Sequence, residues 1–148
     1  MKNAMILTAV ISAIFAGSAC AKTPVKTSLK TSETVIQCTR EMSNYEYLEC
    51  IQKNNEIYEK QINKVYSELK IKLKNEDNDD ITLTKSQNAW VTYRDNSCTL
   101  STSTKRVGYP LGAGIGIITA QCINSFNENR LKELMTLKSE IEEFEKEQ

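Results

Sequence analysis

One stripe of mostly apolar side chains runs through residues 48–73, and no glycine or proline interrupts it. Its members recur at spacings of three and four residues: Leu48, Ile51, Asn55, Tyr58, Ile62, Val65, Leu69 and Leu73. Such spacing predicts a long amphipathic helix over about residues 44–75, with Ser43 and Glu46 fitting a capping box at its start. A single partner helix would cover this stripe incompletely, which favours a bundle of more helices.

Two further segments carry helical periodicity. A second helix is predicted from about Thr82 to Leu100, after an acidic turn at 75–80 that lacks the spacing and the glycine of an EF-hand. A third helix is predicted over about Ile117–Phe144. Its stripe comprises Ile123, Phe126, Arg130, Leu134, Leu137, Ile141 and Phe144. We therefore expect an all-α fold, a small disulfide-stapled bundle of three main helices.

The N-terminal residues 1–21 have the composition of a secretory signal peptide. Lys2 supplies a positive start, residues 5–15 form a short apolar run, and small residues follow at 16–21. The apolar run is too short to cross a bilayer as a helix. We therefore predict a periplasmic or secreted protein without a membrane span.

Two processing routes remain open at Cys20. Ala19-Cys20-Ala21 satisfies the small-x-small rule, and cleavage there would release a soluble chain. Alternatively, Ser18-Ala19-Cys20 resembles the end of a lipobox, and Cys20 would then carry a lipid anchor. Gly17 stands where a lipobox has an aliphatic residue, so soluble export is favoured.

The chain that follows divides into a leader and one domain. Residues 22–37 are rich in Thr, Ser and Lys and include Pro24, which predicts a flexible leader. Residues 38–148 are short enough for a single helical domain.

Four cysteines remain after the signal peptide: Cys38, Cys50, Cys98 and Cys122. The sequence has no histidine and no CxxC motif, which argues against zinc and redox sites and favours disulfides in an exported protein. Of the three possible connectivities we predict the local one, Cys38–Cys50 and Cys98–Cys122. Each of these pairs flanks a helix start or an inter-helix loop, and each would contribute roughly 3 kcal/mol to stability.

The stretch 87–98 contains the chain's one tryptophan. Trp90 and Arg94 lie one helical turn apart, so the guanidinium can rest against the indole, with Asp95 beside it. We expect a structural anchor with Trp90 inside the bundle, rather than a functional site, because fixed polar pairs beside a tryptophan commonly serve packing. The stripe is expected to continue through Tyr93, Ser97 and Leu100.

Residues 101–114 form the second irregular segment, rich in Ser, Thr and Gly, with Tyr109-Pro110 in its middle. Its GxGxG spacing follows no predicted strand, so no nucleotide cofactor is expected. A disulfide between Cys98 and Cys122 would constrain this loop, and constrained exposed loops often carry recognition. The alternative, a simple connector, is equally compatible with the sequence.

Charge and composition exclude several classes of function. Without Lys2 the chain has eighteen basic and nineteen acidic side chains, a net charge of about −1, which does not suggest nucleic-acid binding. Without histidine, a serine nucleophile would need lysine or a carboxylate as its base, and no supporting motif is present. We therefore expect no enzyme, no catalytic residues, no cofactor and no metal.

These features together resemble the LprI-type lysozyme inhibitor family, over about Cys38–Leu137. The resemblance is carried by Cys38 and Cys50, Ile62-Asn63-x-x-Tyr66, Trp90-x-x-Tyr93-Arg94-Asp95-x-x-Cys98, Cys122 and Arg130. It implies a small, exported, disulfide-bearing α-helical protein of bacteria. The implied activity is to bind and inhibit lysozyme, or another wall-cleaving hydrolase, without catalysis. The alternative is a non-inhibitory interaction, adaptor or immunity domain of the envelope.

If the partner is a lysozyme, the loop is the expected contact. Lysozymes are generally cationic and have carboxylates in a substrate cleft, which Lys105 and Arg106 could pair with. Tyr109 and Leu111 would provide an anchor with little entropy to lose. The acidic end, Glu140–Glu147, would mainly increase the association rate.

Overall fold

The computed structural model describes residues 33–75, 78–105 and 113–147. Three α-helices account for most of them: α1 is Asn44–Lys72, α2 is Asp79–Lys105 and α3 is Ala113–Glu147. One turn of 3-10 helix, Leu73–Asn75, ends the first. The described residues include no strand, so the prediction of an all-α, three-helix fold is confirmed.

Helix α1 begins at the predicted capping box. Glu46 N donates to Ser43 Oγ across 3.3 Å, and Glu46 Oε2 accepts from Ser43 N across 2.9 Å. These reciprocal bonds satisfy two backbone donors that a helix start leaves unpaired.

Helix α2 is longer than predicted at both ends, and α3 begins before Ile117. The prediction of a loop over 101–114 is therefore wrong at both ends, because residues 101–105 belong to α2 and residues 113–114 belong to α3. The reason is local, because the hydroxyls of Thr102 and Ser103 donate to the carbonyls four residues earlier, at 2.7 and 2.9 Å. Serine and threonine that bond back to the helix in this way are compatible with its last turns.

The three helices run up, down and up, so that α1 and α3 are parallel. Gln121 Nε2 donates to Tyr47 Oη near the start of both helices, and Lys72 pairs with Glu145 near the end of both. The packing of α1 against α3 is the most extensive in the bundle, and α1 touches α2 least. The N-termini of α1 and α3 and the C-terminus of α2 consequently meet at one end.

The apolar core lies along the α1 stripe. Ile62 and Leu69 of α1 are buried with Leu83 of α2 and Leu134 of α3, and Trp90 packs partly buried against this cluster. The predicted α3 stripe is correct through Ile141 but not at Phe144, which is exposed. The next residue, Glu145, pairs with Lys72, the last residue of α1, so Phe144 lies at the end of the bundle, where its ring stays exposed.

Residues 33–37, the described part of the predicted flexible leader, have no regular secondary structure and contact α1. The side chain of Asn54 accepts from Ile36 N at 2.7 Å and donates to Ile36 O at 2.8 Å, like a neighbouring strand. Lys60 also pairs with Glu33. Glu33 and Ile36, which precede Cys38, therefore already contact α1. The signal peptide and residues 22–32 of the leader lie outside the described residues.

Two disulfides join the local cysteine pairs. Cys38–Cys50 joins the segment that precedes α1 to the second turn of that helix, with a Cα–Cα distance of 5.9 Å. Cys98–Cys122 ties α2 to α3 with a Cα–Cα distance of 5.6 Å. Both lie toward the end where the N-termini of α1 and α3 meet the C-terminus of α2, which we call the stapled end.

Candidate functional site

Trp90 lies between two arginines at the centre of α2. The guanidinium carbon of Arg94 is 5.0 Å from the ring centroid, and that of Arg130 of α3 is 5.7 Å away. Both distances are within the range of cation–π attraction. The indole therefore holds two cationic groups close to the apolar core.

Arg94 connects all three helices. Its Nη1 donates to Glu59 of α1 at 3.2 Å and to Asn127 of α3 at 3.0 Å, while its Nε donates to the neighbouring Asp95 at 2.9 Å. The planar guanidinium suits such a fork of acceptors, which a lysine could not reproduce. The predicted anchor of Trp90, Arg94 and Asp95 is thus assembled at one place, where it joins the helices.

Arg130 makes a second set of contacts, with residues of α2 that precede Trp90 in the chain. Its Nε donates to Gln87 at 3.0 Å, its Nη2 to Ser86 at 3.2 Å and its Nη1 to Glu133 at 3.1 Å. Arg130 therefore joins α3 to α2 much as Arg94 joins α2 to the other two helices.

The charges of this cluster are sorted by depth. The side chains of Arg94 and Arg130 are 12% and 10% exposed, whereas those of Glu59, Asp95 and Glu133 are 50%, 55% and 62% exposed. Cations thus lie inside and carboxylates lie at the surface. The hydroxyl of Ser86 accepts a hydrogen bond from the guanidinium of Arg130 and so helps to hold this buried cation.

A shallow cleft of about 180 Å³ between α1 and α2 leads to this cluster. Its lining residues are Glu59, Ile62, Asn63, Gln87, Trp90, Val91 and Arg94. A wider crevice of about 560 Å³ lies at the stapled end, beside Cys50, between residues 36–42 and the first turns of α1.

The predicted continuation of the tryptophan stripe through Tyr93 and Leu100 is wrong. Both side chains are exposed, Tyr93 by 63% and Leu100 by 65%. The buried stripe of α2 instead passes through Arg94 and Cys98 to Thr102, because these are the side chains that meet α3. Tyr93 touches α3 from outside, packing edge-on against Phe126 at 5.6 Å between ring centroids.

The last turn of α2 is fastened to the first turns of α3. The disulfide Cys98–Cys122 is followed one helical turn later by a 2.9 Å hydrogen bond between the hydroxyls of Thr102 and Thr119. Lys105 is the final residue of α2, and its side chain lies outside the described part of the structure. Arg106, Tyr109 and Leu111, the other predicted partner-binding residues, also lie outside the described residues.

Several members of the cluster were not predicted from sequence. Arg130 stood in an apolar stripe, which is itself a signal that a buried partner exists. Asn127 and Gln87 gave no signal, since a single polar side chain on a helix is usually exposed. In the residues that the structure describes, no cluster of His, Cys, Asp or Glu could hold a metal ion. None of the described helices is long and apolar enough to span a membrane.

Comparison with known proteins gives one finding. A family model described as "Lysozyme inhibitor LprI" matches residues 37–134, which include both disulfides and the Trp90 cluster up to Glu133. No curated protein and no solved structure matches the chain.

Proposed function

The chain belongs to the LprI lysozyme inhibitor family, and from this premise we propose that it binds and inhibits a lysozyme, or another wall-cleaving hydrolase. Inhibition would be stoichiometric, by occupation of the enzyme, with no bond made or broken by this chain. The polar cluster around Trp90, whose arginines are held by acceptors on three helices, would serve as scaffold.

The observation that supports this proposal most is that two contacts, a disulfide and a hydrogen bond, join the end of α2 to the start of α3 on either side of the predicted recognition loop. Cys98–Cys122 and the bond between Thr102 and Thr119 fix the last turn of α2 against α3. A recognition segment with fixed ends has less conformational entropy to lose on binding, which is how rigid inhibitors reach high affinity. The second disulfide and the wide crevice lie at the same end.

The chemistry of the loop sequence matches a lysozyme cleft. Lys105 and Arg106 would pair with the carboxylates that such a cleft contains, and Tyr109 with Leu111 would supply the apolar anchor. With a net charge close to zero, the protein has little global attraction for a cationic enzyme, so local contacts must provide specificity. The acidic segment Glu140–Glu147, at the far end of α3, would add only to the association rate.

Export follows from the proposed partner, because lysozymes act outside the cytoplasm. The signal peptide 1–21 would deliver the chain to the periplasm or the medium, where the four cysteines can oxidise. Retention of Cys20 as a lipid anchor would hold the inhibitor at a membrane surface instead.

The test is the turbidity of a bacterial wall suspension under lysozyme, with and without the mature, oxidised protein. We expect the rate of clearing to fall as the protein approaches the enzyme's concentration. If lysozymes of different types still cleared the wall suspension at the full rate with the protein in large excess, the protein would not be an inhibitor. A non-inhibitory adaptor or immunity role would then be the remaining proposal.

A further inference from the structure

Helix α2 has an outer surface that is nearly free of charge. Between Ser86 and Thr104 its charged residues are Arg94 and Asp95, which pair with each other. Helix α1, by contrast, carries ten charged side chains in its 29 residues. Surfaces of soluble proteins are normally rich in lysine and glutamate, whereas the centres of protein interfaces are depleted of both.

The exposed side chains of this segment, from Ser86 to Ser103, are Ser, Thr, Asn and Ala, together with Tyr93, Leu100 and Asp95. We call this surface the α2 face. Small hydroxyl and amide side chains around a tyrosine are also the chemistry of antibody paratopes, because they make contacts while losing little side-chain entropy.

Tyr93 is prepared for such a role by Phe126. The edge-on contact between the two rings limits the motion of Tyr93 while leaving it 63% exposed. Leu100 lies two helical turns further along the same side of α2, toward the stapled end. Rigid tyrosines that lose solvent on association are among the commonest energetic hot spots.

The electrostatics of the face select a basic partner. The carboxylates of Asp95 on α2 and Glu133 on α3 are exposed, whereas their partners Arg94 and Arg130 are mostly buried and lie close to the Trp90 ring. A molecule approaching α2 therefore meets carboxylates first and the compensating cations only at depth. That order of charges complements a cationic protein surface.

We propose that the α2 face docks onto the basic surface beside the substrate cleft of the inhibited lysozyme, with Tyr93 as its anchor. The inference rests on the proposed function and extends it. It adds a helical surface to the proposed inhibitor, namely the exposed side chains of α2 from Ser86 to Ser103.

The test measures the affinity of the mature, oxidised full-length protein for a cationic c-type lysozyme by calorimetry. Tyr93→Ala should weaken binding at least tenfold, as expected of a hot spot (about 1.4 kcal/mol or more). Tyr93→Phe, which keeps the ring, should bind within about threefold of the parent. Leu100→Lys should also weaken binding, because it places a positive charge against the basic surface of the partner.

Two exposed apolar residues at the opposite end provide matched controls. Phe144 is 66% exposed and Ile71 is 75% exposed, so Phe144→Ala and Ile71→Lys should leave the affinity unchanged. All variants should melt close to the parent, since each replaces an exposed side chain. If Tyr93→Ala and Leu100→Lys both bound with the parent's affinity, the α2 face would not be the docking surface, while inhibition itself would still stand. Absence of binding by the parent itself would overturn both proposals.

Discussion

Arg94 of α2 and Asn127 of α3 are joined by a 3.0 Å hydrogen bond from guanidinium Nη1 to amide Oδ1, and Asn127 is fully buried. The same guanidinium also forms ion pairs with Glu59 and Asp95 and a cation–π contact with the ring of Trp90. One cation thus fixes the position of α2, the helix that makes the fewest contacts with α1. The stability of the bundle should depend on it.

Replacement of Arg94 by lysine should lower the free energy of unfolding by about 2–4 kcal/mol, because the buried Oδ1 of Asn127 would lose its donor. Urea unfolding measures this loss, and Arg40→Lys, at an exposed position, serves as the control. If Arg94→Lys changed the free energy of unfolding by less than about 0.5 kcal/mol, the hydrogen bonds of this arginine would contribute little to the stability of the bundle.

Removal of either disulfide should destabilise the protein. The bridges close segments with sequence separations of 12 and 24, and loop-closure entropy gives about 3 kcal/mol for the first and about 3.5 kcal/mol for the second. The expected effects on inhibition differ, since Cys98→Ser with Cys122→Ser also frees the helix ends that carry the loop. The potency of each folded double variant, measured well below its melting temperature, separates the two contributions. Equal potency in both double variants would contradict the role given to the fastened loop.

The ion pair between Glu68 of α1 and Lys138 of α3 should contribute to acid sensitivity. The hydrogen bond from Lys138 lowers the pKa of Glu68 below its ordinary 4.5, and the same bond raises the pKa of Lys138 above its ordinary 10.5. A carboxylate with a depressed pKa stabilises the fold above pH 4.5, and this stabilisation is lost as the pH falls through its folded pKa. The lysine's contribution is complete below pH 10.5 and is lost as the pH rises through its own folded pKa.

Glu68→Gln should therefore melt below the parent at neutral pH, and the two melting curves should converge on acidification. Glu140→Gln, at an exposed position on α3, is the control and should follow the parent throughout. A constant difference between parent and Glu68→Gln across the acid range would show that this carboxylate's ionisation is not linked to folding.

The loop variant with Lys105→Ala, Arg106→Ala and Tyr109→Ala should inhibit more weakly while its melting temperature stays nearly unchanged. The reason is that these side chains are assigned to the partner and not to the core. Neutralising the glutamates of Glu140–Glu147 should instead slow association and reduce its dependence on salt. A loop variant as potent as the parent would make the loop a connector.

The long helices could be predicted from sequence because α1 and α3 bury apolar stripes of helical period. Helix α2 could not be oriented in this way, since much of its inner face is polar. Three polar residues of α2 face inward because they form hydrogen bonds to α3, namely Gln87, Arg94 and Thr102. A prediction based on apolar periodicity would place these side chains on the exposed side of the helix. The error at Tyr93 and Leu100 has this origin.

The candidate site shows the same division. The contact among Trp90, Arg94 and Asp95 could be predicted from their spacing in the sequence, because the three residues are neighbours along one helix. Arg130 and Asn127 reach them only through the packing of α3 against α2, more than thirty residues away in the chain, and no local pattern reports such a contact. Residues 101–104 are all Ser or Thr, which are typical of loops, so the sequence does not predict that α2 continues to Lys105.

The most direct test of inhibition uses a small, soluble oligosaccharide as the lysozyme substrate. No cell wall is then present for the protein to coat. With the oligosaccharide in large molar excess over the protein, binding of the substrate cannot lower the rate either, so a lower rate must come from binding to the enzyme. We predict that the rate falls to near zero as the mature, oxidised protein passes one equivalent, and that it recovers when the complex is diluted. A hydrolysis rate unchanged at saturating protein, across cationic lysozymes, would contradict the account.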